Sequence, residues 1–189
     1  MAPLVIVFAK APRPGFVKTR LGLDPAAAAS LHAAFVKRTV ETVYRLRDEA
    51  DIELSTDLPC DDWTEFPVAR TVQCAGGLGD RLYAALERSL HQGRTKVAIL
   101  GSDSPTLPMD YVRALLNSDT DVTLGPTVDG GYYGIACRRI GRGMFDGVRW
   151  SSQHALEDTI RAVEACGLRV ALGPRWFDID TPQDLERLT

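Results

Sequence analysis

The chain is poor in the residues that build disulfide frameworks and metal centres. Its 189 residues include three histidines and four cysteines, and no two cysteines form a C-x-x-C pair. Secreted disulfide scaffolds and structural zinc sites depend on closely spaced Cys and His, so this scarcity argues against both classes. The residues concerned are His32, His91, His154, Cys60, Cys74, Cys137 and Cys166.

An excess of charge of one sign is missing as well. The formal net charge is −3, and no dense run of Lys and Arg occurs, which argues against a nucleic-acid-binding protein. The apolar opening at residues 3–9 stops at Lys10 and is too short for a signal peptide or a membrane span. We therefore expect a cytoplasmic protein with no nucleic-acid or membrane partner, and the sequence leaves its oligomeric state open.

Internal repeats, low-complexity stretches and recognisable linkers are also lacking. A chain of 189 residues, 45% of them hydrophobic, is long enough to bury one core. We therefore expect one domain over residues 1–189.

Short apolar runs alternate with amphipathic segments along the chain. Leu4–Ala9 is uniformly apolar, as in a strand buried on both faces, and Asp24-Pro25 is an N-cap followed by a proline at the first helical position. Further strands are predicted at residues 51–56, 70–74, 96–100, 121–125, 132–138 and 168–172, and further helices from about residues 79, 108 and 152 and after Thr181. This alternation predicts an α/β fold, a three-layer α/β/α sandwich with a mostly parallel sheet.

Polar residues that follow the predicted strands form the candidate site, because open α/β sheets bind ligands beyond the carboxyl ends of their strands. The loop after the first strand is basic, and carboxylates follow the later strands. In chain order these residues are Lys10, Arg13, Lys18, Arg20, Asp103, Asp129, Asp178 and Asp180. Such a mixture suits a polyphosphate and its metal, since Mg²⁺ takes one or two carboxylates plus phosphate oxygens.

Simpler explanations exist for each part of this pattern. A strand-end aspartate often only caps a helix, a basic loop is often a solvated surface, and Thr181–Asp184 forms a capping box beside Asp180. The segment Gly76–Gly79 opens a helix that can receive an anion, and Gly130-Gly131 suits either a close ligand or a hairpin turn. No nucleophile elbow or complete P-loop is present, so direct displacement is the predicted chemistry.

Four segments resemble the motifs of a known family. They are residues 8–21 (FAKAPRPGFVKTRL), 101–107 (GSDSPTL), 125–133 (GPTVDGGYY) and 178–182 (DIDTP). In this order they are similar to the bacterial radical-SAM/selenodomain-associated transferases, within the nucleotide-diphospho-sugar transferase superfamily with its GT-A fold. The Lys-Thr-Arg-Leu part of the first segment is also similar to 2-phospholactate guanylyltransferase.

The resemblance implies roles for individual residues. The implied nucleotide- and phosphate-binding residues are Lys10, Lys18, Arg20, Gly79 and Arg81. The implied ligands of Mg²⁺ or Mn²⁺ are Asp103 and Asp180. The implied acceptor or sugar side consists of Asp129, Gly130, Gly131 and Tyr132, and the implied catalytic residues are Lys18 and Asp129.

The reaction implied by the resemblance is transfer from a nucleotide or nucleotide-sugar donor to a small-molecule acceptor, assisted by Mg²⁺ or Mn²⁺. We expect glycosyl transfer from a nucleotide sugar. Nucleotidyl transfer from a nucleoside triphosphate, with release of pyrophosphate, is the alternative. A nucleotide-binding regulator that keeps the fold without catalysis is a third possibility.

Overall fold

A computed structural model of the chain describes residues 1–188 and contains a seven-stranded sheet. The strands are β1 (Leu4–Ala9), β2 (Asp51–Thr56), β3 (Ala69–Val72), β4 (Val97–Gly101), β5 (Val122–Pro126), β6 (Tyr132–Cys137) and β7 (Val170–Leu172). Their order is β3-β2-β1-β4-β6-β5-β7, and neighbours are parallel except where β6 pairs with β4 and β5. The mostly parallel sheet is therefore confirmed.

The helices are α1 (Pro25–Tyr44), α2 (Leu78–His91), α3 (Met109–Asn117) and α4 (Ala155–Ala165), with 3-10 helices at Thr19–Leu21 and Pro182–Leu188. The start of α1 is as predicted, because the Asp24 carboxylate accepts hydrogen bonds from Ala26 N and Ala27 N at 3.0 and 3.3 Å. The predicted last helix is a 3-10 helix. Over residues 1–188, no helix is long and apolar enough to span a membrane.

Helices cover both faces of the sheet. Alternate side chains of a strand point to opposite faces, so Val5 and Val7 of β1 pack with α1 and α3, whereas Ile6 and Phe8 pack with α2 and α4. All of β1 is buried, which explains its uniformly apolar sequence. The three-layer α/β/α arrangement is therefore confirmed.

The strands β5 and β6 form a hairpin, one of the two explanations that the sequence allowed for Gly130-Gly131. Gly130 has a φ of +89°, which favours glycine, and Asp129 Oδ1 accepts a hydrogen bond from Gly131 N at 3.1 Å. From this turn β6 enters the sheet between β4 and β5 and runs antiparallel to both. Its first residue, Tyr132, therefore lies at the edge where β4 and β5 end.

The helix α4 begins at Ala155, three residues later than the sequence predicts. Ser151 has a φ of +57°, which is not helical, and Ser152 Oγ donates to the Arg149 carbonyl at 2.6 Å. Residues 149–152 therefore form a separate turn, and this turn carries Trp150 to the edge of the sheet described next.

Candidate active site

A cleft at the carboxyl edge of β1 and β4 consists of two adjoining cavities, of about 510 and about 420 Å³. The basic loop after β1 bounds the first cavity, and the β5–β6 hairpin bounds the second. Residues that line both include Phe8, Gly101, Tyr132, Asp178 and Asp180. The cleft thus lies where open α/β sheets bind their ligands.

The loop after β1 is fixed to its neighbours through its backbone. Ala11 N donates to Asp57 Oδ1 at 2.7 Å, and His32 Nε2 donates to the carbonyl oxygen of Lys10 at 2.9 Å. Burial lowers the pKa of His32, so its ring is neutral near neutral pH. Lys10 itself is exposed and lines the first cavity, so the anchoring leaves its side chain available to a ligand.

Lys18 lies in the wall of the first cavity with a side chain that is only 3% exposed. Its Nζ is 2.6 Å from the carbonyl oxygen of Ile179, 2.5 Å from Asp103 Oδ1 and 3.1 Å from Asp180 Oδ1. Arg20 also binds Asp180, from Nη2 to Oδ2 at 2.6 Å. Lys18 therefore ties the loop after β1 to the segments that follow β4 and β7.

The carboxylates that follow β7 are presented by an extended segment. Ile179 N donates to the carbonyl oxygen of Asp103 at 2.8 Å, and the Ile179 side chain is fully buried. Because side chains alternate along an extended chain, Asp178 and Asp180 both lie on the other side of the segment from Ile179. Both therefore reach the cleft.

Asp178 has the most perturbed acidity of these carboxylates. Its pKa is raised from 3.8 to about 7, chiefly by burial and also by nearby Asp103, Asp129 and Asp180, while a hydrogen bond from Ser104 Oγ opposes the shift. A raised pKa means that the folded protein disfavours the ionised carboxylate. Desolvation of the buried carboxyl group is the main reason that Asp178 keeps its proton to a higher pH.

This shift predicts how stability depends on pH. Between its ordinary pKa of 3.8 and about 7, Asp178 binds more protons in the folded state than in the unfolded state, so stability falls as pH rises through this range. Asp178→Asn removes the penalty and should stabilise the protein at about pH 8 by on the order of 2 kcal/mol, or roughly 4–8 °C in Tm. Thermal denaturation in a chelator at about pH 5 and about pH 8 measures this difference.

The control for this measurement is Asp61→Asn, at an exposed position that lines neither cavity. We expect Asp61→Asn to follow the wild-type pH dependence. A gain in Tm for Asp178→Asn that is the same at both pH values would contradict the assignment to Asp178.

Asp103 and Asp180 could both bind one divalent ion. Both contact the same nitrogen of Lys18, at 2.5 and 3.1 Å, so their carboxylate oxygens lie close to one another. In the part of the chain that the structure describes, residues 1–188, no group of three or more His, Cys, Asp or Glu could hold a metal. Two carboxylates suit Mg²⁺, which completes its shell with phosphate oxygens and water.

The second cavity is bounded by the hairpin and by the turn before α4. Asp129 Oδ1 accepts hydrogen bonds from Thr127 Oγ1 at 2.5 Å and from Gly131 N at 3.1 Å. On the other side, the ring of Trp150 packs against Tyr132, with centroids 6.3 Å apart. The hairpin carboxylate and the two aromatic rings thus border the same space.

Most of the predicted site residues line this cleft. Those in the first cavity are Lys10, Lys18, Arg20, Arg81, Asp103, Tyr132 and Asp180, and those in the second include Asp129, Gly131 and Tyr132. Gly79 and Gly130 line neither cavity. A Cβ at Gly79 would lie 3.1 Å from Phe145 Cβ, and one at Gly130 would lie 2.1 Å from the Gln153 carbonyl oxygen. Close packing therefore explains glycine at both positions.

Other residues of the cleft have no role in the sequence-based prediction. Gln73 accepts a hydrogen bond from Arg81 Nη1 at 3.2 Å and so orients that guanidinium. The sequence feature that could have identified Gln73 is its position near the end of the predicted third strand. Asp178 belongs to the predicted strand-end carboxylates, but the sequence gives it no individual role. Trp150 lies in a segment without periodicity, so no local pattern marks it.

Comparisons with known proteins give the family. A family model described as an uncharacterized protein conserved in bacteria (DUF2064) matches residues 22–152. No curated protein matches the chain. The solved structure of a candidate nucleotide-diphospho-sugar transferase from Desulfovibrio desulfuricans G20 is 32% identical, covers 100% of this chain and 87% of that chain, and has a TM-score of 0.88.

More distant structures share the fold alone. A 4-diphosphocytidyl-2C-methyl-D-erythritol synthase from Anaerococcus prevotii DSM 20548 is 12% identical with a TM-score of 0.64, over 98% of this chain and 95% of that one. A CMP:2-keto-3-deoxy-manno-octonic acid synthetase in complex with CTP is 11% identical with a TM-score of 0.60, over 100% and 97%. From the extent of the family match and the 32% identity to a structure of the same fold, the chain belongs to the DUF2064 family of bacterial proteins.

Proposed function

We propose that the protein is a metal-dependent transferase that moves a glycosyl group from a nucleotide sugar to a small-molecule acceptor. The observation that carries the proposal is the pairing, in one cleft, of the cations Lys10, Lys18 and Arg20 with the carboxylates Asp103 and Asp180. A bound diphosphate needs both cations and carboxylates. The cations stabilise the charge that develops on the leaving group, and the carboxylates hold the metal.

Each side chain has a distinct part in this proposal. Lys10, Arg20 and Arg81 donate to the phosphates from the wall of the first cavity. Asp103 and Asp180 would hold Mg²⁺ or Mn²⁺, which would supply further neutralisation of the charge on a leaving diphosphate. Lys18, already bonded to three oxygens, sets the spacing of the metal-binding carboxylates and adds one positive charge beside the phosphates.

Asp129 acts on the other side of the reacting bond. It lines the second cavity, and its Oδ1 is held by Thr127 and Gly131. In the proposed reaction it accepts a hydrogen bond from an acceptor hydroxyl, either orienting this group or removing its proton. We propose direct displacement, without a protein-bound intermediate.

The relatives support nucleotide use and leave one alternative open. The Desulfovibrio protein is named for nucleotide-diphospho-sugar transfer, whereas the more distant synthetase binds CTP. The CTP complex of this synthetase supports nucleotidyl transfer, with release of pyrophosphate, as the second candidate function. From the motif resemblance alone, we also propose that the protein is one of the radical-SAM/selenodomain-associated transferases.

A thermal-shift screen of nucleotides and nucleotide sugars with Mn²⁺ tests the proposal. A donor at about 100 times its Kd should add about 2.7 kcal/mol of stability. Released nucleoside diphosphate would identify glycosyl transfer, and released pyrophosphate would identify nucleotidyl transfer. Tight binding without turnover of any metal–donor pair would instead indicate a nucleotide-binding regulator, and no stabilisation by any nucleotide would reject all three functions.

A further inference from the structure

The two cavities differ in charge. The first is lined by Lys10, Lys18, Arg20 and Arg81, whereas Arg20 is the one Lys or Arg among the described residues that line the second. Arg20 is already paired with Asp180. The second cavity also contains Asp129 and Asp178, whose carboxylates contact no Lys or Arg within residues 1–188.

A metal ion held by Asp103 and Asp180 would not involve Asp129, which lines only the second cavity. An ion on Asp103 and Asp180 offsets those two carboxylates. Asp129 is held by a hydroxyl and a backbone N–H, both neutral donors. Asp178 receives a hydrogen bond from the hydroxyl of Ser104. Asp129 therefore keeps its carboxylate in the second cavity without a Lys or Arg partner among the described residues.

The floor of the second cavity is apolar. Leu82 from α2, Ile99 from β4 and Ile135 from β6 line it, with the ring of Trp150 at one side. Trp150 is held in place, because Arg149 next to it donates to Asp158 from Nε and Nη2 at 2.8 and 3.0 Å. A rigid apolar wall favours a ligand with an apolar face, such as an aromatic ring or the C–H face of a sugar.

We propose that the second cavity receives a hydroxylated group that is neutral or cationic and has an apolar face, and that it rejects anionic groups. The inference rests on the proposed function, in which this group is the transferred sugar or the acceptor. A carboxylate or phosphate placed here would meet the carboxylate of Asp129, whose own contacts are a hydroxyl and a backbone N–H rather than a cation. An amine or a hydroxyl would instead donate to Asp129. Carboxylated and phosphorylated acceptors should therefore bind more weakly than neutral or cationic ones.

Three probes of equal ring size and different charge test this inference without any donor. Tyramine is cationic, tyrosol is neutral and 4-hydroxyphenylacetate is anionic. Binding is followed by NMR through the indole N–H of Trp150, which Trp150→Phe assigns. Trp63 and Trp176 line neither cavity and serve as internal references. Titrations are made at mildly alkaline pH, with and without Mg²⁺.

We expect tyramine and tyrosol to bind at least about tenfold more tightly than the anion, a difference of about 1.4 kcal/mol. Asp129→Asn should narrow the ratio of tyramine to anion affinity severalfold, whereas Asp61→Asn should leave it unchanged. Equal or tighter binding of 4-hydroxyphenylacetate overturns the inference, as does an unchanged ratio in Asp129→Asn or the absence of a Trp150 shift with all three probes. The nucleotide screen above concerns the first cavity, so its failure would reject the proposed function without altering this result.

Discussion

Replacement of Lys18 by alanine is expected to lower both stability and donor affinity. The variant loses bonds to Ile179, Asp103 and Asp180, which leaves Asp103 without a cation and Asp180 with Arg20 alone. Breaking a buried ion pair costs about 3–5 kcal/mol, and the partial exposure of both carboxylates reduces this to about 3 kcal/mol, or roughly 6–12 °C in Tm. Donor affinity should fall roughly a hundredfold, because the phosphates lose a cation and the carboxylates lose their spacing. Thermal denaturation and titration calorimetry with Mn²⁺ measure the two effects.

Two other basic residues provide matched comparisons for Lys18. Lys37 pairs with Glu65 at 3.2 Å on an exposed surface, so Lys37→Ala should change stability by less than about 0.5 kcal/mol and leave binding unaffected. Arg20, whose side chain is 66% exposed, should lose about tenfold in donor affinity on Arg20→Ala with little change in Tm. Equal small effects at all three positions would indicate that the basic loop is only a solvated surface and does not bind the donor.

Asp103→Asn should abolish most of the dependence of donor binding on metal. The substitution keeps the side-chain shape and leaves the backbone carbonyl that accepts from Ile179 N, while removing one of two candidate metal-binding charges. We expect donor affinity in Mn²⁺ to fall about ten- to a hundredfold, close to the wild-type value in a chelator. Calorimetric titrations of wild type and variant, each with and without Mn²⁺, give the four affinities needed.

Asp110→Asn is the control for Asp103→Asn, because Asp110 is 84% exposed and pairs with Arg113 on the surface of α3. It should bind donor as the wild type does. A donor affinity of Asp103→Asn in Mn²⁺ equal to that of wild type would remove Asp103 from the metal site. Loss of metal dependence in both variants would point to an effect of overall charge.

The elements of the fold could be predicted from the sequence because their signals are local. The buried run at Leu4–Ala9 and the Asp24-Pro25 cap each depend on neighbours within a few residues, and both are confirmed. Where local signals were weaker, boundaries shifted: the third strand occupies Ala69–Val72, and α4 starts only after the turn at Ser151.

The position of the candidate site also followed from sequence, through the rule that strand ends meet at one edge of a parallel sheet. This rule places Lys10, Asp103 and Asp180 near each other, but it does not predict which side chains contact one another. It does not predict that β6 would insert antiparallel between β4 and β5, and it is this insertion that brings Tyr132 into the cleft. Strand order depends on the packing of whole elements, which local periodicity does not encode.

By itself, the sequence determined the α/β class, the basic first loop and the set of strand-end carboxylates, because composition and short-range pattern carry that information. Only the tertiary structure decided that Lys18 binds a carbonyl oxygen 161 positions away, that Asp178 is buried enough to raise its pKa to about 7, and that Gly79 packs beneath an aromatic side chain. Each of these depends on which distant groups share a small volume. Charge pairing and desolvation act through space at distances of a few ångströms, so they are fixed only once the chain has folded.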